Sequence, residues 1–83
     1  MKLRYFAWVR ERIGHAEETV TLPATLVTVA DVIKWLKSRD DTYAYAFENG
    51  PLIRVALDQH HAKHDVAIAG ASEMAFFPPM TGG

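Results

Sequence analysis

The sequence predicts an α+β roll, one mixed β-sheet packed on one main helix. Three observations carry this expectation. Segments of alternating apolar and polar residues open and close the chain, one amphipathic helical stripe lies between them, and 83 residues leave room for a single domain only. A chain of this size buries about 60–65% of the surface it exposes when unfolded. Its 49% hydrophobic content is enough for one core.

Residues Lys2 to Val9 read as a first strand, with Leu3, Tyr5, Ala7 and Val9 on one face and Arg4, Phe6 and Trp8 on the other. That second face is unusually apolar. Gly14 and His15 suggest a turn into a second strand over Glu17 to Leu22, and hence a hairpin that Pro23 terminates. Thr28 is placed to cap a helix, with Asp31 three residues on. Val29, Val32, Ile33 and Leu36 repeat at i, i+3, i+4 and i+7, one buried stripe, while Lys34 and Lys37 lie off it. Asp40 to Phe47 suggests a short second helical turn, with Tyr43, Ala46 and Phe47 on one side. Asn49-Gly50-Pro51 breaks the chain.

Leu52 to Asp58 alternates again, and His60 to Ile68 reads as a turn and a short strand. Gly70-Ala71-Ser72 is a further break. Glu73 to Phe77 is the last strand, with Met74 and Phe76 inward. Pro78-Pro79 then removes two backbone donors and ends ladder pairing. No repeat, linker or low-complexity tract interrupts this order, so residues 1–83 are expected to form one domain with 78–83 as an extended tail.

Charge and composition exclude several classes. Nine Lys and Arg against ten Asp and Glu give a net charge of -1, which provides no global attraction to nucleic acid or membrane. Without cysteine there is no disulfide, thiol nucleophile or Cys₄ zinc site. The charged N-terminus is not a signal peptide, and no apolar run approaches a membrane span, so a cytoplasmic location is expected.

Catalytic motifs are scarce. Ser38 and Ser72 are the only serines, and no G-x-S-x-G, G-x-G-x-x-G or P-loop is present. Asp40-Asp41 reads as helix-start charge. His60, His61 and His64 form H-H-x-x-H, whose spacing would align two ligands on a helix. The flanking residues are not amphipathic and there is no general-base carboxylate, so a His-rich hairpin without metal is the expectation. Arg4, Arg10, Arg12 and Arg54 suggest a basic patch on the sheet, but interleaved acidic residues argue against nucleic acid.

The C-terminus stands apart: Ala75-Phe76-Phe77-Pro78-Pro79-Met80-Thr81-Gly82-Gly83. A buried strand passes into a stiff Pro pair and ends in two residues with no Cβ to obstruct a narrow channel. This arrangement suits delivery of a C-terminal carboxylate into another protein's active site.

These residues, with Phe6-Ala7, Val9-Arg10-Glu11 and Gly14 near the start, resemble the MoaD-like sulfur-carrier subunits of molybdopterin synthase, a family on the ubiquitin-like β-grasp fold. The resemblance spans essentially the whole chain and is most specific over Phe76 to Gly83. It implies that an E1-like enzyme adenylates the Gly83 carboxylate with ATP and that a sulfur donor enzyme converts it to a thiocarboxylate. It also implies that a large subunit accepts the tail, with sulfur passing to cyclic pyranopterin monophosphate to build the molybdopterin dithiolene. The assembly would hold two large and two small subunits. The catalytic pocket would belong to the large subunit, and no cofactor would be permanently bound here.

In this family an aromatic residue on the first strand and one before Pro-Pro contact both partners, and they match Phe6 and Phe77. Arg10 matches a family arginine. Trp8 is expected to extend the patch, on the strand-face argument. His61 stands where the family has a third apolar contact, Asp58 where an asparagine is common, and Gly70-Ala71 where an Asp-Gly turn is usual. The alternatives are a ubiquitin-like carrier for thiamine or tRNA thiolation, a protein modifier, a non-covalent binding module, and a small metal-binding domain.

Overall fold

Phe76 sits at the centre of the molecule, fully buried, with the Tyr5 ring stacked on it at 5.8 Å and the Phe47 ring edge-on at 5.3 Å. The chain around it is a computed structural model describing residues 1–79. The order is β1 (Lys2–Tyr5), α1 (Ala7–Ile13), β2 (Glu17–Thr19), α2 (Val29–Lys37), α3 (Asp41–Ala46), a 3₁₀ turn (Gly50–Leu52), β3 (Arg54–Leu57), β4 (His60–Ala62) and β5 (Glu73–Phe77). The strands form one mixed sheet in the order β2-β1-β5-β3-β4. The central β1–β5 pair is parallel and the other pairings are antiparallel. This is the α+β roll that the alternation and the single helical stripe predict.

Leu3 and Tyr5 of β1, Met74 and Phe76 of β5, and Val55 of β3 point to one side and are at most 1% exposed. They meet Val29, Val32, Ile33 and Leu36, the predicted stripe of α2, all buried. Each such side chain contributes roughly 1.5–3 kcal/mol of transfer free energy. α2 starts at a full capping box. The Thr28 hydroxyl accepts from the Asp31 N–H at 3.2 Å, and the Asp31 carboxylate accepts from the Thr28 N–H at 3.0 Å. The Val27 and Thr28 N–H groups hold the Asp31 carboxyl below the usual aspartate range. Asp40 caps α3 by accepting from the Tyr43 N–H, so it is helix-start charge as expected.

The first strand is shorter than the alternation predicts. It ends at Tyr5, and Ala7 to Ile13 is helical, so the β1–β2 connection is a helix rather than a tight hairpin turn. The antiparallel β1–β2 pairing survives. Val9 and Ile13, four apart, are both buried, a helical spacing hidden inside a strand-like run. Gly14, at φ 98°, ends α1 in the left-handed region and donates its N–H to the Arg10 carbonyl at 2.8 Å. Trp8 and Arg10 therefore lie on a helix, not on the sheet face with Phe6.

Other boundaries also move. β2 stops at Thr19, with Val20 and Leu22 packed against the core from a loop. Leu52 belongs to the 3₁₀ turn. Asp58 leaves the strand: with Gln59 it forms a two-residue turn between β3 and β4, at φ 47° and 71°, the positive values a type I′ hairpin requires. The Asp58 carboxylate also accepts from the Ser72 and Glu73 N–H groups, both at 3.0 Å, which ties this turn to the start of β5.

Candidate functional site

The face of the sheet opposite the core is built from the alternate residues of its strands. Arg4 pairs in register with Ala75, Ala75 with Ala56, and Ala56 with His61, so one row crosses β1, β5, β3 and β4. The two adjacent alanines make the middle of this face shallow. Beside the row, Phe77 pairs with Arg54. Extending the parallel register by one residue past Tyr5–Phe76 sets Phe6 beside Phe77, and the Phe6 N–H donates to the Phe76 carbonyl at 3.0 Å.

Phe6 is 40% exposed, and the Arg4 guanidinium lies 5.3 Å from its ring centre. Phe77 is half-buried, with the His61 ring edge-on to it at 5.5 Å. Phe6, Phe77 and His61 thus share one face with Ala56 and Ala75, two residues that carry no motif of their own. Pro78 and Pro79 follow directly and are half-buried, so the tail leaves from the Phe77 corner of this face. The expected tail residues Met80, Thr81, Gly82 and Gly83 lie outside the described residues.

The remaining expected site residues fall elsewhere. Trp8 is half-buried on α1 and lies 4.5 Å from the Arg12 guanidinium, which Tyr45 flanks at 4.2 Å on α3. Arg12 also donates to the Tyr45 carbonyl and the Glu48 carboxylate, both at 3.2 Å. Arg10 is exposed on the last turn of α1. The predicted grouping of Arg4, Arg10, Arg12 and Arg54 on the sheet does not form, because α1 carries two of them away. Among the described residues no three His, Asp or Glu side chains are arranged to hold a metal. His60 meets the Asp58 carbonyl, His61 meets Phe77, and His64 meets the Ile53 carbonyl at 2.7 Å.

One cluster was not legible in the sequence. The Glu18 carboxylate accepts from the Tyr5 hydroxyl at 2.8 Å, the Tyr43 hydroxyl at 2.5 Å and the Arg39 guanidinium at 3.1 Å, with His15 Nε2 also at 3.1 Å. Burial pushes the Glu18 pKa up and is the largest single influence. The hydrogen bonds, that from Tyr43 foremost, together outweigh it and bring the carboxyl to about 2. Burial and the Glu18 charge push the Tyr43 hydroxyl up to about 12 and the Tyr5 hydroxyl further still. The cluster ties β2 and α3 to β1.

The frame is a ubiquitin-like β-grasp: a five-stranded mixed sheet clasping its main helix, with the central strand running straight into the tail. The ThiS family model matches residues 3–83, and the chain belongs to the ThiS family. It is 34% identical to the molybdopterin synthase sulfur carrier subunit of Escherichia coli, over 100% of this chain and 99% of that one. It is 35% identical to the protein of the same name from Haemophilus influenzae, with the same coverage. Among solved structures, SAMP1 from Haloferax volcanii superposes with a TM-score of 0.72 at 26% identity, covering 100% of this chain and 98% of that one. A putative molybdopterin converting factor subunit 1 from Pyrococcus furiosus shares the fold, at a TM-score of 0.72, 24% identity and 95% coverage of each chain.

Proposed function

We propose that this chain is the sulfur-carrier subunit of a molybdopterin synthase. The full-length match to two curated proteins of that name carries the reading. Gly82-Gly83 follow the stiff Pro78-Pro79 exit after two residues, Met80 and Thr81. Four residues follow Pro79, an arm of at most roughly 14 Å when extended.

A carboxylate at neutral pH is a poor electrophile, since it is anionic and its oxygen leaves badly. In the proposed cycle an E1-like enzyme joins the Gly83 carboxylate to the adenylyl group of ATP and releases pyrophosphate. Sulfur at the sulfide level, supplied by a donor enzyme, displaces AMP and leaves a thiocarboxylate. The large subunit takes the tail, the sulfur passes to cyclic pyranopterin monophosphate, and repetition builds the dithiolene. Tethering raises the effective concentration of that sulfur in the acceptor pocket. The chain contributes the arm and the handle. The handle is the open face around Phe6, Phe77 and His61, with Arg10 as an outlying contact on α1. Trp8 has no place in it, being turned toward Arg12. The working assembly is two large and two small subunits in a cytoplasmic setting, with ATP consumed by the activating enzyme and no resident cofactor.

An extension by one residue after Gly83 tests this reading in a reconstituted synthase reaction. The extended chain is expected to fold, bind the large subunit and transfer no sulfur. Undiminished transfer overturns the tail chemistry.

A protein-modifier role is the second reading, favoured by the likeness to the H. volcanii small archaeal modifier protein 1, at 25% identity and a TM-score of 0.72. It requires Gly83 to end in an amide bond to a lysine of another protein. Covalent conjugates in cell extracts, lost on deletion of Gly82 and Gly83, would support it over the carrier role.

A further inference from the structure

Phe6 owes its place to its backbone. Its N–H donates to the Phe76 carbonyl at 3.0 Å, which ties it to β5. Its carbonyl accepts from the Val9 and Arg10 N–H groups at 3.2 and 3.4 Å, which ties it to α1. The direction of its exposed ring therefore depends on how α1 is held. By itself α1 is a weak element. It has seven residues, its N-cap Phe6 makes no side-chain cap hydrogen bond, and no acidic residue lies in its first turn. It also leaves β1 through Ala7 in the left-handed region, at φ 51°. A helix this short does not persist without tertiary contacts.

Two sets of contacts hold it. Val9 and Ile13 are buried and set how deep the helix lies. Apolar contacts are not directional, so they leave its rotation about its own axis poorly fixed. The second set is directional. Trp8 and Arg12 are four apart and share one face of α1. The Arg12 guanidinium lies 4.5 Å from the Trp8 ring centre and 4.2 Å from that of Tyr45 on α3. It also donates to the Tyr45 carbonyl and the Glu48 carboxylate, both at 3.2 Å. A flat guanidinium held by two rings and two acceptors fixes both distance and angle between α1 and α3.

We infer that Arg12 is a positioning residue for partner binding: clasped by Trp8 and Tyr45, it fixes α1 and so presents Phe6 to the large subunit. The inference rests on the carrier reading above, in which Phe6 belongs to the handle. A ring already held in its bound direction spares the complex the cost of ordering it. The clasp itself adds little to stability, because the Arg12 and Glu48 side chains are 26% and 50% exposed and water screens their ion pair. Its effect is expected in affinity. Trp8, absent from the open face, thereby acts on that face through Arg12.

The experiment titrates the full chain into a molybdopterin synthase large subunit by calorimetry and follows thermal unfolding of each variant. Arg12→Ala and Tyr45→Ala should each weaken binding about five- to tenfold while remaining folded. In a Phe6→Ala background Arg12→Ala should cost nothing further, since no ring is left to position. Val20→Ala is the control for stability alone: Val20 packs on the core beside Met1, at the opposite end of β1 from Phe6. It should lower the melting temperature and leave affinity unchanged. Full affinity in both clasp variants overturns the inference and leaves the carrier reading standing. An equal loss from Arg12→Ala with and without the Phe6 ring also overturns it, by making Arg12 a direct contact. So does a loss of affinity in Val20→Ala that matches the clasp variants. If Arg12→Ala fails to fold, Tyr45→Ala alone decides. If the unaltered chain binds no large subunit, the carrier reading and this inference fall together.

Discussion

The His61 ring stands edge-on to Phe77, centroids 5.5 Å apart and planes at 84°. His61 is on β4 and Phe77 ends β5, so the contact spans β3 and fixes the corner from which the tail departs. A half-buried aromatic on an open sheet face offers its exposed part to a partner. Phe77→Ala should therefore weaken binding to a molybdopterin synthase large subunit by on the order of 2 kcal/mol, about thirtyfold. The loss of stability should be much smaller, because Phe77 lies outside the core. Calorimetric titration of the large subunit, paired with thermal unfolding of the variant, separates the two effects. Full affinity in the variant removes Phe77 from the handle.

Glu18 makes stability depend on pH at the acid end. Its folded pKa of about 2 lies below the ordinary glutamate value of 4.5. The stabilisation is therefore complete above about 4.5 and is lost as pH falls through about 2. With the side chain 18% exposed and solvent screening allowed for, it is worth on the order of 1–2 kcal/mol. Tyr43 has the opposite sign: raised from 10.0 to about 12, it contributes below pH 10 and is lost as pH climbs through 12. Urea unfolding of Glu18→Gln across pH 2–6 should show a flatter acid limb than the unaltered chain. An acid limb of unchanged slope would mean that Glu18 is not held by these bonds.

Ala7 carries φ 51° at the point where β1 gives way to α1, a left-handed value that disfavours any side chain with a Cβ. Glycine relieves that strain, so Ala7→Gly should stabilise the fold by about 0.5–1 kcal/mol, against the usual cost of glycine near a helix. Denaturant midpoints at constant slope measure it. Destabilisation would show that the junction favours Ala7 as it stands.

The strands and the main helix were legible because burial follows a period the sequence displays. Met74 and Phe76 alternate into the core, and Val29 to Leu36 keep helical spacing. The β1–α1 junction was not, since Leu3, Tyr5, Ala7 and Val9 alternate as a strand would while Val9 and Ile13 also fit one helical face. Only the Gly14 stop favours the helix, and Trp8 was misplaced with it. The Glu18 cluster joins residues 5, 15, 18, 39 and 43 from separate elements, so no local pattern announces it. Of the candidate site, Phe6, Phe77 and His61 were legible through the tail motif and strand parity. Ala56 and Ala75 were not, because an alanine signals nothing until its neighbours are known.

Intact-mass measurement of the full chain, after incubation with ATP, an E1-like activating enzyme and a sulfur donor, tests the carrier function most directly. The account predicts a mass gain equal to sulfur replacing one oxygen, localised by fragmentation to Gly83 and absent without ATP. A chain whose mass never changes with any E1-like enzyme of its source, or whose sulfur lies at another residue, contradicts it.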